Sequence, residues 1–413
     1  MRAVIIILTL LQTIFAQKML ESFDLDGMNR FKGETTYRFE MKSGDLQERS
    51  LMIKGVKGDI SLNGSAGSEI VIVETITIKS LSRKKAENIF DEKKAKVYRA
   101  PGTDNISVTG VLMKSSKVQF DYDIEIPRRF NVDLITSGGD IYCRQVEGTI
   151  IGKTSGGSIE FSWLTGKIEG KTSGGDITIE ESQGSITGTT SGGDIDIAAS
   201  EGIISVRTSG GDIDAAHVNG KLTVKTSGGD IEISHINGNK AEATTSGGDI
   251  EAEYISADLK VRTFGGSIEV FQLDGNLDAF TSGGDIELEH IDGDISASTS
   301  GGSVEGDFLT GAITAVSNGG DIRVSKSWRG NNNSHTINLE AKSGDIELEL
   351  PANFPASIDA AVTGKNSSRA IASEFPISIT VGDNEVTGSG TSGSGTYRVI
   401  LKSNFGRIII ERD

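Results

Sequence analysis

A Gly-Gly pair returns eleven times in the middle of this chain, following residues 137, 155, 173, 191, 209, 227, 246, 264, 282, 300 and 318. Every interval is 18 residues except the one of 19 between 227 and 246. The stretch TSGGDIELEHIDGDISAS, residues 281–298, shows the unit at its cleanest. A period this constant means a stack of like units, none able to bury its apolar face alone. The 19-residue step follows Gly238 and reads as a one-residue bulge.

Within a unit the apolar residues alternate. Ile286 and Leu288 fall on one face with Glu287 and Glu289 on the other, and the pattern resumes at Ile295 and Ala297. Alternation in runs this short predicts strands. A second glycine stands eleven residues after the marker, at Gly148, Gly166, Gly184, Gly202, Gly220, Gly238, Gly275, Gly293 and Gly311, with Ala257 the exception. The fold class expected is therefore all-β: a parallel β-solenoid, or β-helix, of 18-residue coils with strands about 4.8 Å apart. Glycine at the paired positions would supply backbone conformations with positive φ and close stacking of turns. Thr precedes the marker in ten coils and Ser317 in the last, which suggests a hydroxyl ladder at a corner.

The organisation expected is a signal peptide over residues 1–16, a β-rich N-terminal region over 17–136, the regular array over 137–325, and irregular coils with a C-terminal β cap over 326–413. Arg2, the apolar run from Ala3 to Leu11 and Ala16 have the layout of a secretory leader. No later segment is apolar and long enough for a membrane-spanning helix. An extracytoplasmic location follows, whether secreted, periplasmic or cell-surface. Cys143, the only cysteine, cannot form an intrachain disulfide and falls in an inward column. Before the array, VQFDYDIEIP (118–127) reads as a strand and SRKKAENIFDEKKAKVYR (82–99) as the one helical candidate, with Ala86, Ile89 and Phe90 on one side.

The early coil KGDISL, the YDIEIP strand running into the Gly-Asp-Ile coils, and the closing SGDIELELPANFPASIDA followed by a final strand carry a resemblance. Over roughly residues 40–413 the chain resembles the bacterial putative-adhesin β-strand-repeat family, a domain of unknown function. The resemblance implies a β-solenoid and a role in adhesion, and it brings no catalytic residues.

The net charge of −17 argues against nucleic acid as a partner and against docking on anionic lipid. Two acidic columns share one outward face. Asp212, Asp230, Asp249 and Asp285 follow the Gly-Gly pair, and Asp214, Glu232, Glu251 and Glu287 stand two residues on. These eight residues are the candidate binding ladder. Carboxylates about 4.8 Å apart repel by about 1 kcal/mol in bulk water, so cations or hydrogen bonds must offset them. The first column holds Ser at 158, 267 and 303, and Ser replaces Asp as an acceptor of backbone N–H but not as an anionic calcium ligand. Turn capping is the reading that fits, with a calcium-binding repeat scaffold as an alternative. A basic column, Lys153, Lys171, Arg207, Lys225 and Arg262, lies on the second strand.

His217, His235, Tyr254 and His290 share one corner column with Gln272, Trp163 and Phe308. Two stacked imidazoles do not complete a zinc site, so no metal is expected and the stripe is a candidate contact surface for a protein or glycan. The segment with Trp328, Arg329 and Asn331 to Asn333 is a second exposed candidate. No set of nucleophile, base and orienting group stands out, so no catalytic residue or cofactor is assigned. The expectation is an exported, non-enzymatic structural and interaction module. A carbohydrate-acting enzyme on a β-helix is the rival, and an ice-binding face fits poorly with one Thr per coil.

Overall fold

The computed structural model describes residues 17–26, 29–42, 45, 49–111, 117–328 and 335–413. Residues 1–16, and with them the expected leader, lie outside that range, as do Arg329 and Asn331 to Asn333. The described residues are all-β, with one α-helix, Arg83–Lys93, and a short 3-10 turn at Ser368–Ala370. The chain divides into two compact units, Met1–Gly175 and Asp176–Asp413.

In the first unit four strands form an antiparallel sheet in the order Gln17–Leu25, Arg30–Glu40, Glu69–Lys79 and Val118–Pro127. Alternation decides which face is covered. Ile70, Ile72, Ile76 and Ile78 are buried together with Phe31, Phe39 and Phe120. The helix begins at Ser82, whose hydroxyl accepts from Lys85 N, and turns Ala86 and Phe90 inward. Ile89 is only half-buried. Phe90 lies on Gly33, where a Cβ would come within 2.3 Å of the ring. The same unit contains parallel pairs whose stacking order is not chain order. Ile60–Ser65 lies between Val118–Pro127 and Ile141–Arg144, and Arg49–Val56 lies between Asp104–Thr109 and Asn131–Thr136. Cys143 sits between Leu62 and Phe161, fully buried, and that burial pushes its thiol well above the ordinary range.

In the second unit parallel strands pair with partners 18 residues on: Ile177 with Ile195, Ile195 with Ile213, and Ile213 with Ile231. The offset becomes 19 at Ile231 and Ile250. The register shifts between Asn219 and Lys221 on one side and between Asn237 and Lys240 on the other, which places the bulge next to Gly238. The inward column Ile195, Ile213, Ile231, Ile250, Ile268, Ile286, Val304 and Ile322 is at most 1% exposed, so apolar contact runs along the pairing direction.

The end of this unit also departs from chain order. Tyr397–Ser403 pairs in parallel with both Ile337–Ala341 and Ala356–Thr363, so the last part of the chain is inserted between earlier segments. Ile408–Arg412 is likewise held between Ile346–Leu350 and Ile371–Ser373. Ala356–Thr363 continues antiparallel to Glu385–Thr391, and that strand to Ile377–Val381.

Candidate interaction surface

The Thr before each marker is buried and makes two hydrogen bonds. Thr226 Oγ1 donates to the Gly211 carbonyl at 2.8 Å and accepts from Gly229 N at 3.4 Å. Thr245, Thr263, Thr281 and Thr299 repeat this pair of bonds. Ser317 and Ser403 do the same at the irregular end. A hydroxyl is needed because one atom must both donate and accept.

The second glycine of each pair is required for a reason other than backbone conformation. A Cβ on Gly229 would meet the Gly211 carbonyl oxygen at 2.2 Å, and one on Gly211 the Gly193 oxygen at 2.3 Å. The first glycine has room in the earlier coils, where the nearest atom to a Cβ on Gly228 is 3.5 Å away, but the gap narrows along the array, to 2.8 Å at Gly283 and 2.7 Å at Gly319. Neither of the paired glycines lies at positive φ, contrary to the expectation. Positive φ is found instead at the later glycines, such as Gly202 and Gly220.

The first acidic column is a hydrogen-bond ladder. Asp212 N donates to Asp194 Oδ1, Asp230 N to Asp212 Oδ1 and Asp249 N to Asp230 Oδ1, each at 2.8 Å. Where Ser stands in the column its hydroxyl accepts in the same way, from Asp285 N to Ser267 Oγ and from Asp321 N to Ser303 Oγ. Asp285 Oδ1 in turn accepts from Ser303 N at 2.7 Å. The structure thus assigns Asp212, Asp230, Asp249 and Asp285 a backbone-capping contact.

The second acidic column has no such bonding pattern. Asp214, Glu232, Glu251, Glu269, Glu287 and Glu305 stand opposite one another in consecutive register. Partial burial, and after it the neighbouring carboxylates, raises Asp214 and Glu251 above the usual acid range. The run ends at Arg323, which is paired with Glu305, Asp321 and Glu347. Basic residues of the second strand are matched locally, Lys225 by Glu242 at 3.7 Å and Arg262 by Asp278 at 2.8 Å. These exposed pairs each stabilise by under about 1 kcal/mol.

The corner column is built on an unusual backbone. Glu181, Ala199, His217, His235, Tyr254, Gln272, His290 and Phe308 all have φ between 48° and 58°. That left-handed conformation costs an ordinary side chain about 1–2 kcal/mol. It turns the side chains out of the corner, where Tyr254 is 44% and Phe308 53% exposed. His217 and His235 have ring centroids 4.6 Å apart, and His235 and Tyr254 4.8 Å. His290 and Phe308 stack at 4.6 Å. Gln272 interrupts the series, and Phe271 bridges the gap edge-on to Tyr254 at 5.5 Å and to His290 at 6.0 Å. Phe271 escaped the sequence reading because it lies in a neighbouring column. There Glu253 and Glu289 are its in-register partners, and it is the aromatic among them. An open groove of about 400 Å³ runs beside this stripe, with Tyr254, Gln272, His290, Asp274 and Asp292 in its wall. The rings face one another, so they offer edges, imidazole nitrogens and a phenol to a partner.

Trp328 packs edge-on against Phe354 at 5.8 Å, beside His335 and Tyr397. His335 is buried, with Nδ1 2.7 Å from the Thr310 carbonyl. Burial pulls the buried Lys326 down to about 7, against the pull of Asp294 and Asp292. Its ammonium contacts the Thr310 and Gly311 carbonyls.

Among solved structures, a putative cell adhesion protein from Clostridium sporogenes is 9% identical, aligned over 92% of this chain and 100% of its own, with a TM-score of 0.16. A putative adhesin from Parabacteroides merdae is 12% identical over 76% of this chain and 95% of its own, TM-score 0.22. A putative adhesin from Bacteroides fragilis is 12% identical over 92% and 97%, TM-score 0.16. Likeness at these scores carries no argument about this chain. No curated protein matches. A family match does stand, and it covers much of the ladder and the ring stripe: residues 201–326 match the Toastrack DUF4097 family, and the resemblance to a repeat domain of unknown function is met there.

Proposed function

We propose that the chain is an exported, non-enzymatic β-solenoid of 18-residue coils, closed by a C-terminal β cap, that serves as a surface or envelope interaction module with an adhesive role. One observation carries this reading: rings occupy a left-handed corner where glycine would be less strained. Tyr254 and Phe308 are exposed there, where packing does not require them. The corner takes Glu181 and Ala199 at the same φ, so no ring is required there; that five of the six coils from His217 to Phe308 nevertheless carry one supports selection for what the rings touch. The hydroxyls and capping carboxylates, by contrast, are engaged in holding turns together, which speaks against using them as nucleophiles or acids.

The partner is a protein or glycan that meets ring edges beside carboxylates. Export rests on the leader-like first sixteen residues. The test is to screen the mature chain against glycan and extracellular-protein arrays, with a Tyr254→Ser/Phe271→Ser/Phe308→Ser variant alongside. A partner retained by the native chain and lost by the variant supports the reading. Partners bound equally by both would remove the stripe from the argument, and cleavage of an arrayed glycan would overturn the non-enzymatic assignment.

A further inference from the structure

Trp163, in the first unit, shares the left-handed corner conformation but not the setting of the later rings. It lies between the strands Ile159–Ser162 and Thr165–Lys171, at φ 53°, and is 53% exposed. His217, His235, Tyr254, His290 and Phe308 each have a ring beside them, whereas among the described residues no ring stacks on Trp163. The matching corner residue one coil earlier is Gln145, at φ 57°. An open groove of about 310 Å³ has Trp163 in its wall together with Gln145, Arg128, Glu147 and Thr165. Glu147 and Thr165 are in register on adjoining strands, and Glu147 N donates to the Arg128 carbonyl at 2.7 Å. Backbone pairing thus sets three polar side chains beside the indole. Arg128, Glu147, Trp163 and Thr165 are exposed and Gln145 is half-buried, so a ligand can reach all five. Arg128 offers only donors and Glu147, held by Arg129 at 3.3 Å, only acceptors. A ligand rich in neutral hydroxyls satisfies both, whereas an anion meets Glu147 and a cation meets Arg128.

We propose that this groove binds a neutral pyranose residue of a glycan. The sugar ring lies on the indole face, whose negative potential attracts polarised C–H groups. Its hydroxyls accept from Arg128 and donate to Glu147, and with Gln145 and Thr165 they do both. The groove is at the lower end of the size range of small-ligand sites, which suits one sugar residue and not a whole chain. None of these residues belongs to the stripe from His217 to Phe308, so the site stands or falls independently of the adhesive reading.

The experiment is titration of the full mature chain with neutral oligosaccharides of glucose, mannose, galactose and N-acetylglucosamine, followed by saturation-transfer NMR. An oligogalacturonate is the anionic counterpart. Concentrations run to about 10 mM, because one stacked ring with a few hydroxyl bonds gives a dissociation constant on the order of 1 mM. The variants are Trp163→Ala, Trp163→Tyr, Gln145→Ala and Tyr254→Ser/Phe271→Ser/Phe308→Ser. Ala199 already occupies the corner position in another coil, so the fold is expected to persist in the alanine variants, and circular dichroism checks that it does. Saturable binding of at least one neutral oligosaccharide is the result expected, at least tenfold weaker in Trp163→Ala and Gln145→Ala. Trp163→Tyr should recover part of it, and the triple variant should bind like the native chain. Absence of binding across the neutral sugars, or equal affinity in Trp163→Ala, overturns the proposal. So does a preference for the oligogalacturonate that salt abolishes, which would make Arg128 an anion site. Loss in the triple variant alone would assign the sugar to the ring stripe. Trp163-dependent capture of an arrayed protein, with every sugar ignored, would make the indole a protein anchor instead.

Discussion

In the coils of the second unit one polar device is used many times, whereas in the antiparallel sheet of the first a single device is used once. Thr226, Thr245, Thr263, Thr281 and Thr299 each bridge two backbone groups in the same way. In the first unit Glu74 is fully buried in the antiparallel sheet. It accepts from Tyr122 Oη at 2.8 Å, from Ala95 N at 2.9 Å and from Tyr37 Oη at 3.4 Å. Burial raises this carboxyl above its usual range, while the three donors oppose that shift. The difference teaches where fragility lies. A repeated bond is shared out over the stack, so one loss is local. A one-off buried group has no substitute, and deleting it leaves several partners unsatisfied.

The largest effect should therefore come from the first unit. Glu74→Ala would leave two tyrosine hydroxyls and the Ala95 N–H without their acceptor, and it should destabilise by about 3–5 kcal/mol. Urea unfolding followed by near-ultraviolet circular dichroism reads it through the tyrosines. A loss no greater than that of a single ladder substitution would erase the contrast between the units.

Next comes a pair of neighbours inside the array. Gly229→Ala forces a methyl to 2.2 Å from a carbonyl oxygen, and backbone cannot swing aside as a side chain does. The cost should be about 3 kcal/mol. Gly228→Ala, one residue earlier, should stay within about 0.5 kcal/mol of the native chain. Thermal unfolding of the two variants side by side tests whether close approach, not backbone freedom, fixes the paired glycines. Equal losses would mean that it does not.

Where the period ends, the second unit adopts the manner of the first. From residue 318 to the next Ser-Gly-Asp at Ser343 the spacing is 25, and there Lys326 is buried against carbonyl groups. Its folded value, about 7, lies below the ordinary 10.5. Between those two values the unfolded chain binds the extra proton, so stability rises with pH across that window and is lost as pH falls toward 7. The slope should approach about 1.4 kcal/mol per pH unit. Lys326→Met should flatten it, as measured by urea midpoints between pH 7 and 9.5. A native chain as flat as the variant would mean that the ammonium is solvated.

How legible each region was follows from the same distinction. The ladders were readable because substitution within a column reports its chemistry: Asp exchanged for Ser marks an acceptor, and Thr for Ser a hydroxyl. The offset of 19 was readable as one extra residue, and the shifts beside Gly238 are where it is absorbed. Glu74 was missed although its parity was visible. In EIVIVETITIK it falls in step with Ile70, Ile72, Ile76 and Ile78, on the apolar face. The stacking order at the ends could not be read, because insertion of Tyr397–Ser403 between Ile337–Ala341 and Ala356–Thr363 depends on pairing between distant segments. The left-handed corner was hidden for another reason: its residues are not glycine, which is the usual local sign of positive φ.

The smallest effect belongs to the ladder itself. Asp230 accepts from Asp249 N through Oδ1, a bond that Ser267 and Ser303 make elsewhere with a hydroxyl. Asp230→Ser should therefore change stability by less than about 0.5 kcal/mol. Asp230→Ala, which removes the acceptor, should cost about 1 kcal/mol. Calcium separates capping from cation binding. If Asp230 caps a backbone N–H, calcium should raise the unfolding midpoint no more than magnesium does at equal ionic strength, and the serine variant should respond like the native chain. A calcium-specific rise, reduced by Asp230→Ser, would show that the carboxylates share an ion. The ladder would then hold a function as well as a fold, and the contrast with Glu74 would become one between a bound cation and a buried acid.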